Sequence, residues 1–311
     1  MLRSLTFVFL TMTVAPVVQA DERRAPAPKF TAEQTRGVFF DKLDDAFRGE
    51  RPTIATVRKS AGAAAVAAAA TQDSAAGGGG GDDVWTSLIS ASSLEDEIKR
   101  VKLEFDSCVS TPTSFLGGGY QDARLHLTVL ASLFAVINEH GDDVRWKDQA
   151  AAARDLIARS AFNCKSGSNQ VYNEVKLRKG DLQDLIAGSG LANKKADEQN
   201  DWTMIADRSP LMEYAEALIE ALEDASRDEA TIKRETELVK RNAELLAVLG
   251  EILAREGMDD ADDEDYAKLS HEMTSESSKL VQALERGDAA EVRKGASMIR
   301  KRCDSCHEQY R

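Results

Sequence analysis

From Trp85 to the end of the chain, apolar residues recur at alternating steps of four and three, the period of a helix with one buried face. Leu94, Ile98, Val101, Phe105 and Cys108 make one such stripe, and Val292, Ala296, Ile299, Cys303, Cys306 and Tyr310 make another. The spacing predicts eight helices, at about residues 93–109, 121–139, 145–163, 169–187, 209–225, 228–256, 264–285 and 288–310, with Gly141 as the C-cap of the second. Composition agrees: aromatics are 6 % of the residues, and Ala, Leu, Glu, Lys and Arg dominate, which favours helix over sheet.

The pattern runs twice. Val129-Leu130-Ala131-Ser132-Leu133 through His140-Gly141 resembles Leu245-Leu246-Ala247-Val248-Leu249 through Glu256-Gly257, and an acidic turn and an aromatic (Trp146 or Tyr266) follow each copy. Two tandem antiparallel four-helix bundles with short loops satisfy every stripe, so the fold class is all-α. The expected boundaries are 84–200 for the first bundle and 201–311 for the second.

Ahead of the bundles, residues 1–20 read as a secretory signal peptide. Arg3 is followed by a mostly apolar run from Leu5 to Val18 and by Val18-Gln19-Ala20 as a cleavage site. A membrane anchor is the alternative, but the run falls short of the roughly 20 residues a span needs. Export to a periplasmic or similar compartment follows. Residues 21–83 form an arm and a linker. The arm has a candidate helix between Phe30 and Arg51, and the linker is an Ala/Gly tract ending in Gly77 to Gly81 that reads as a flexible tether.

Forty basic against fifty-three acidic residues leave a net charge of −13. Such a surface has little with which to neutralise phosphates, so nucleic acid is excluded as a partner and a basic protein fits better. The run Asp259-Asp260-Ala261-Asp262-Asp263-Glu264-Asp265 lacks the glycine and spacing of a calcium loop and reads as a solvated turn able to orient such a partner.

The sharpest chemical signal is Cys303-Asp304-Ser305-Cys306-His307. Cys-x-x-Cys-His is the spacing for covalent haem attachment. On a helix, residues i, i+3 and i+4 share a face, so two sulfurs for the haem vinyl groups and an imidazole for the iron point the same way. Three other chemistries use the same residue types. A dithiol redox motif would sit at a helix N-terminus within a βαβ unit, zinc would need a fourth ligand, and a plain structural disulfide would need neither.

Beyond the motif, the second bundle resembles cytochrome c′, over about residues 203–311. The resemblance rests on the terminal Cys303-Asp304-Ser305-Cys306-His307-Glu308-Gln309-Tyr310-Arg311, on its place at the end of the last helix, and on Arg208-Ser209-Pro210-Leu211-Met212 opening the first. It implies one haem c per chain with His307 as the proximal ligand, Arg311 beside it, Arg208 near a propionate and Met212 on the distal side. It also implies a five-coordinate iron that takes NO or CO and exchanges electrons, and a homodimer formed through the first two helices unless the first bundle occupies that surface. Met212 departs from the family's non-ligating distal residue: it is either a core methionine beside the haem or a sixth ligand.

The first bundle has no such motif and reads as a haem-free copy, with Leu177-Arg178-Lys179-Gly180-Asp181-Leu182 in its fourth helix. Cys108 and Cys164 sit near the same pole of that bundle and are read as a disulfide, with two free buried thiols as the alternative. His140, next to Gly141, reads as a capping residue; His126 reads as an ordinary surface or core histidine, with a non-covalent haem in the first bundle as the alternative, and His271 as an exposed histidine, with distal ligation as the alternative. The expected function is haem-based electron transfer with gas binding at an open distal face. A gas-sensing module and a six-coordinate shuttle are the alternatives, and no distal His/Arg pair points to peroxide chemistry.

Overall fold

Eight helices of 17–22 residues build the described part of the chain: α1 (Ala91–Cys108), α2 (Tyr120–Glu139), α3 (Lys147–Asn163), α4 (Asn169–Ala187), α5 (Arg208–Ala225), α6 (Thr236–Leu253), α7 (Glu264–Glu285) and α8 (Ala289–His307). The computed structural model describes residues 84–192 and 195–310. The expected leader, the arm and linker, and Arg311 lie outside the described residues.

Side-chain caps fix several of the starts. Ser168 accepts from the amide of Val171 at α4, Asp263 from those of Asp265 and Tyr266 at α7, and Asp288 from that of Glu291 at α8. The sequence expectation fails at two places. The single helix expected over 228–256 is two, Glu229–Arg234 and α6, because Glu235 leaves helical geometry (φ −108°, ψ 25°). There the Thr236 hydroxyl donates to the carbonyl of Ile232 at 2.9 Å. The second helix ends not on Gly141 but on His140, which takes extended geometry. The fully buried ring of His140 bonds the Ile89 carbonyl and accepts from the Asp142 amide. These bonds, with the Lys147 ammonium on the His140 carbonyl, do the work expected of a left-handed glycine.

Within each set of four, every helix packs on its neighbours in the ring: α1 on α2 and α4, α3 on α2 and α4, and likewise α5 to α8. The two rings are joined into one compact unit, since α5 packs on α2 and α6 packs on α1. This explains why the repeated segments are the most apolar. Every residue from Leu127 to Ile137 in α2 and from Asn242 to Gly250 in α6 is buried. A helix apolar all round must be covered all round.

The joint has a two-fold character that the helix stripes alone do not reveal. The short helices Val84–Leu88 and Trp202–Ile205 precede α1 and α5, and each lies against the other bundle, on α6 and on α2 respectively. Trp85 and Trp202, 117 positions apart, meet with ring centroids at 6.1 Å. Glu97 and Tyr214, also 117 positions apart, are hydrogen-bonded to each other. In a two-fold interface, a residue on the axis touches its own counterpart. The two bundles therefore face one another as two subunits of a dimer would, within one chain.

Candidate haem site

The last two turns of α8 carry Cys303, Cys306 and His307, all half-buried, at steps of three and one. They form one wall of a cavity of about 550 Å³. Arg208, Met212 and Ala215 of α5 and Tyr266, Leu269 and Met273 of α7 supply the facing walls, and Leu253 closes the end of α6. The exposed surface of the lining is more apolar than polar, and Arg208, Glu216, Asp259 and Arg302 are its charged groups. A cavity of this size and lining is that of a binding site rather than a packing defect.

α7 comes close enough to build this wall because α6 has Gly250 opposite it. A Cβ there would stand 2.6 Å from the Ser270 carbonyl and 2.4 Å from the Thr274 hydroxyl. Ser270 lines the cavity, and its buried hydroxyl has no hydrogen-bond partner. The Nε of Arg302, on the same cavity, is likewise unpaired, while its terminal nitrogens engage Glu272 at 2.9 Å and Glu276 at 3.8 Å. A rim arginine and an orphaned hydroxyl around an apolar slot suit a flat, mostly apolar ligand that carries anionic groups.

Burial keeps the two thiols protonated. It pushes Cys303 up to about 11 and raises Cys306, against a small opposing pull from Arg208. Both are free, not joined to each other. Sulfurs that will form thioethers must enter the site as separate thiols, so this state fits attachment. Among the described residues, no group of three or more His, Cys, Asp or Glu is arranged to hold a bare metal ion.

Arg208 lies on the cavity, but its guanidinium is engaged. It donates to Asp260 at 2.5 Å, sits 3.9 Å from Asp259, and lies 5.6 Å over the Tyr266 ring. Asp260, in a left-handed conformation at φ 61°, thus clamps the acidic loop to the start of α5. The loop is therefore only partly the solvated turn read from sequence. Asp263 faces the Tyr310 hydroxyl, and this bond together with helix amides holds its carboxyl below the ordinary range. Tyr310 packs edge-on against Tyr266 at 5.1 Å, closing the far end of the site.

The structure therefore brings Cys303, Cys306, His307, Met212 and Arg208 to one cavity; Arg311 lies outside the described residues. Sequence reading missed Met273, Ser270 and Arg302. Met273 belonged to the apolar stripe of α7, but a stripe does not distinguish a cavity wall from solid core. His271, the histidine closest to it in sequence, points elsewhere, towards Glu251 at 3.5 Å.

Cys108 and Cys164, expected as a disulfide, are both free and buried in the structure. They share a pole, but α1 and α3 stand at diagonal corners of their ring, and a disulfide needs Cα atoms within about 7 Å. Cys108 donates to the Glu104 carbonyl at 3.3 Å, and Cys164 lies beside Asp122 and Arg124 of α2.

In the first bundle the counterpart of the haem motif is not Leu177 to Leu182 but the end of α4. Helices α4 and α8 are both 19 residues long, so Cys303, Cys306 and His307 correspond to Gln183, Ile186 and Ala187. The space beside them is filled. Trp146 donates its indole N–H to the Leu185 carbonyl at 3.0 Å and packs edge-on against Phe134 at 6.2 Å. Phe134 is the repeat counterpart of Gly250. His126 is half-buried against Glu104 at 3.7 Å, and burial lowers its pKa.

No curated protein and no solved structure matches the chain. A family model does match, over residues 261–311, and its description is cytochrome C′. This span holds α7, α8 and the Cys303–His307 motif, so the likeness to cytochrome C′ covers the last two helices of the second bundle.

Proposed function

We propose that this chain is an exported monohaem c-type cytochrome that transfers electrons and binds NO or CO at an open distal face. The observation that carries the reading is the convergence of Cys303, Cys306 and His307 on one wall of the 550 Å³ apolar cavity, inside the segment that matches cytochrome c′. A haem c held there supplies reversible one-electron iron chemistry and an axial position for a diatomic gas.

The chain's own groups divide the remaining work. The sulfurs of Cys303 and Cys306 fix the group covalently, and the imidazole of His307 serves as the proximal ligand. Leu253, Leu269, Ala215 and Met273 exclude water, which restricts the chemistry to electrons and small apolar gases. Arg208 and Arg302 place positive charge at the rim for the propionates, with Arg208 exchanging Asp260 for the ligand. The acidic loop that Arg208 anchors lies beside the cavity mouth and suits a basic redox protein as partner.

A second reading, the six-coordinate shuttle, draws on the placement of Met212 and Met273, both on the cavity. A thioether from either would fill the sixth position, raise the potential and exclude gas. Absorption spectra of the matured protein, oxidised, reduced and reduced under CO, decide between the two. A high-spin spectrum that shifts with CO supports the open site. A low-spin spectrum unmoved by CO overturns it in favour of a methionine ligand.

A further inference from the structure

The first bundle fills its own equivalent of the haem site with Trp146 and Phe134, which leaves open what it contributes to the second. The contact between the bundles holds an unusual group for an interface core. Glu97 of α1 is 0 % exposed, and its carboxylate is surrounded. Arg100, one turn along, donates through Nε at 2.9 Å and through a terminal nitrogen at 2.5 Å. Arg241 of α6 approaches the other oxygen at 3.4 Å, and the hydroxyl of Tyr214 in α5 donates at 2.5 Å. A buried carboxylate is tolerated only when its lone pairs are satisfied with good geometry, so its partners are held in place as firmly as it is.

One of these partners stands on the wall of the haem cavity's own helix. On α5, Leu211, Tyr214, Leu218 and Leu222 form the stripe towards the buried interior, while Met212, Ala215 and Glu216 line the cavity. On the cavity side the polar ties of α5 are at the rim, where Arg208 donates to Asp260 at 2.5 Å and Glu216 accepts from Arg300 at 2.6 Å. On the interface side its polar tie is Tyr214 to Glu97. A helix moves as a rigid body over two turns, so the position of Tyr214 fixes that of Met212 and Ala215.

Resting on the haem reading above, we infer that Glu97 of the first bundle is a positioning residue for the haem cavity, setting through Tyr214 where α5 holds Met212 and Ala215. The haem-free bundle is then a built-in partner subunit that tunes the distal wall. It contacts neither haem nor gas. The pair occupies equivalent positions of the two bundles, the seventh residue of α1 and the seventh of α5, one a carboxylate and the other a phenol.

The test uses the full matured chain in four forms: wild type, Tyr214→Phe, Glu97→Gln, and Ile157→Val as a control in the core of α3, away from α5. Two readouts are taken: the CO dissociation constant of the reduced protein, and amide hydrogen exchange along α5, which needs no haem. The expected result is a change of threefold or more in CO affinity for Tyr214→Phe and Glu97→Gln, with faster exchange confined to α5 between Leu211 and Glu216. Ile157→Val should leave both unchanged even where its melting temperature falls. CO affinity and α5 exchange equal to wild type in Tyr214→Phe overturn the inference, because that substitution keeps the packing and removes only the tie. A wild-type protein without haem sinks the functional reading instead, and the α5 exchange still decides whether the tie positions the helix.

Discussion

The Tyr214 hydroxyl donates a 2.5 Å hydrogen bond to the fully buried carboxylate of Glu97, its counterpart in the other bundle. Removing the carboxylate in Glu97→Ala leaves the Tyr214 hydroxyl and Arg241 without it, while Arg100 keeps Glu104, and should cost about 1–3 kcal/mol. Removing only the hydroxyl in Tyr214→Phe should cost about 1–3 kcal/mol. Denaturant midpoints of the two single variants and the double variant give the coupling. A double variant whose loss equals the sum of the singles would mean that the two side chains do not depend on each other.

Gly250→Ala should destabilise the second bundle by about 1–3 kcal/mol, because the added methyl meets the backbone carbonyl of Ser270 at 2.6 Å as well as the Thr274 hydroxyl at 2.4 Å, and turning the hydroxyl away relieves only the second. Its effect should reach the cavity through Ser270, seen as a broadened or shifted haem band. A Gly250→Ala protein with wild-type stability and spectrum would show that α6 and α7 are not in the close contact described.

Cys108 and Cys164 should both be labelled by an alkylating reagent when the non-reduced protein is denatured, and neither should react quickly while it is folded. Burial pushes Cys164 up to about 12 and also raises Cys108, so little reactive thiolate is present at neutral pH. In the matured protein, where haem would hold Cys303 and Cys306, mass spectrometry should find two added labels after unfolding. No label on either would mean that the disulfide forms after all.

Much of this was legible in the sequence. The steps of four and three placed α4 and α7 at the residues where the structure has them, and the spacing of Cys303, Cys306 and His307 fixed one cavity wall. What escaped was whatever depends on how helices meet. Pole and helix order brought Cys108 and Cys164 together on paper, but only the ring of neighbours shows that they are diagonal. The repeat was visible in α2 and α6, yet its two-fold contact appears only when Trp85 meets Trp202. A glycine in a helix, such as Gly250, carries no mark of the close approach it permits.

The Asp263 carboxyl is held below the ordinary aspartate value, first by the Tyr310 hydroxyl and then by the amides of Tyr266 and Asp265. A depressed native pKa contributes stability that is fully present above the ordinary value, near pH 4, and is lost as pH falls through the native value. Melting temperature against pH should therefore fall less steeply below pH 4 in Asp263→Asn than in wild type. Identical acid limbs would show that the carboxylate makes no such bonds in solution.

Everything proposed for the second bundle depends on a haem held covalently by Cys303 and Cys306. The most direct measurement is the intact mass of the protein under denaturing conditions, after maturation in cells that attach haem c. The expected mass exceeds that of the polypeptide by one haem, and the excess disappears in the Cys303→Ser, Cys306→Ser double variant. A wild-type chain at the bare polypeptide mass would contradict covalent attachment.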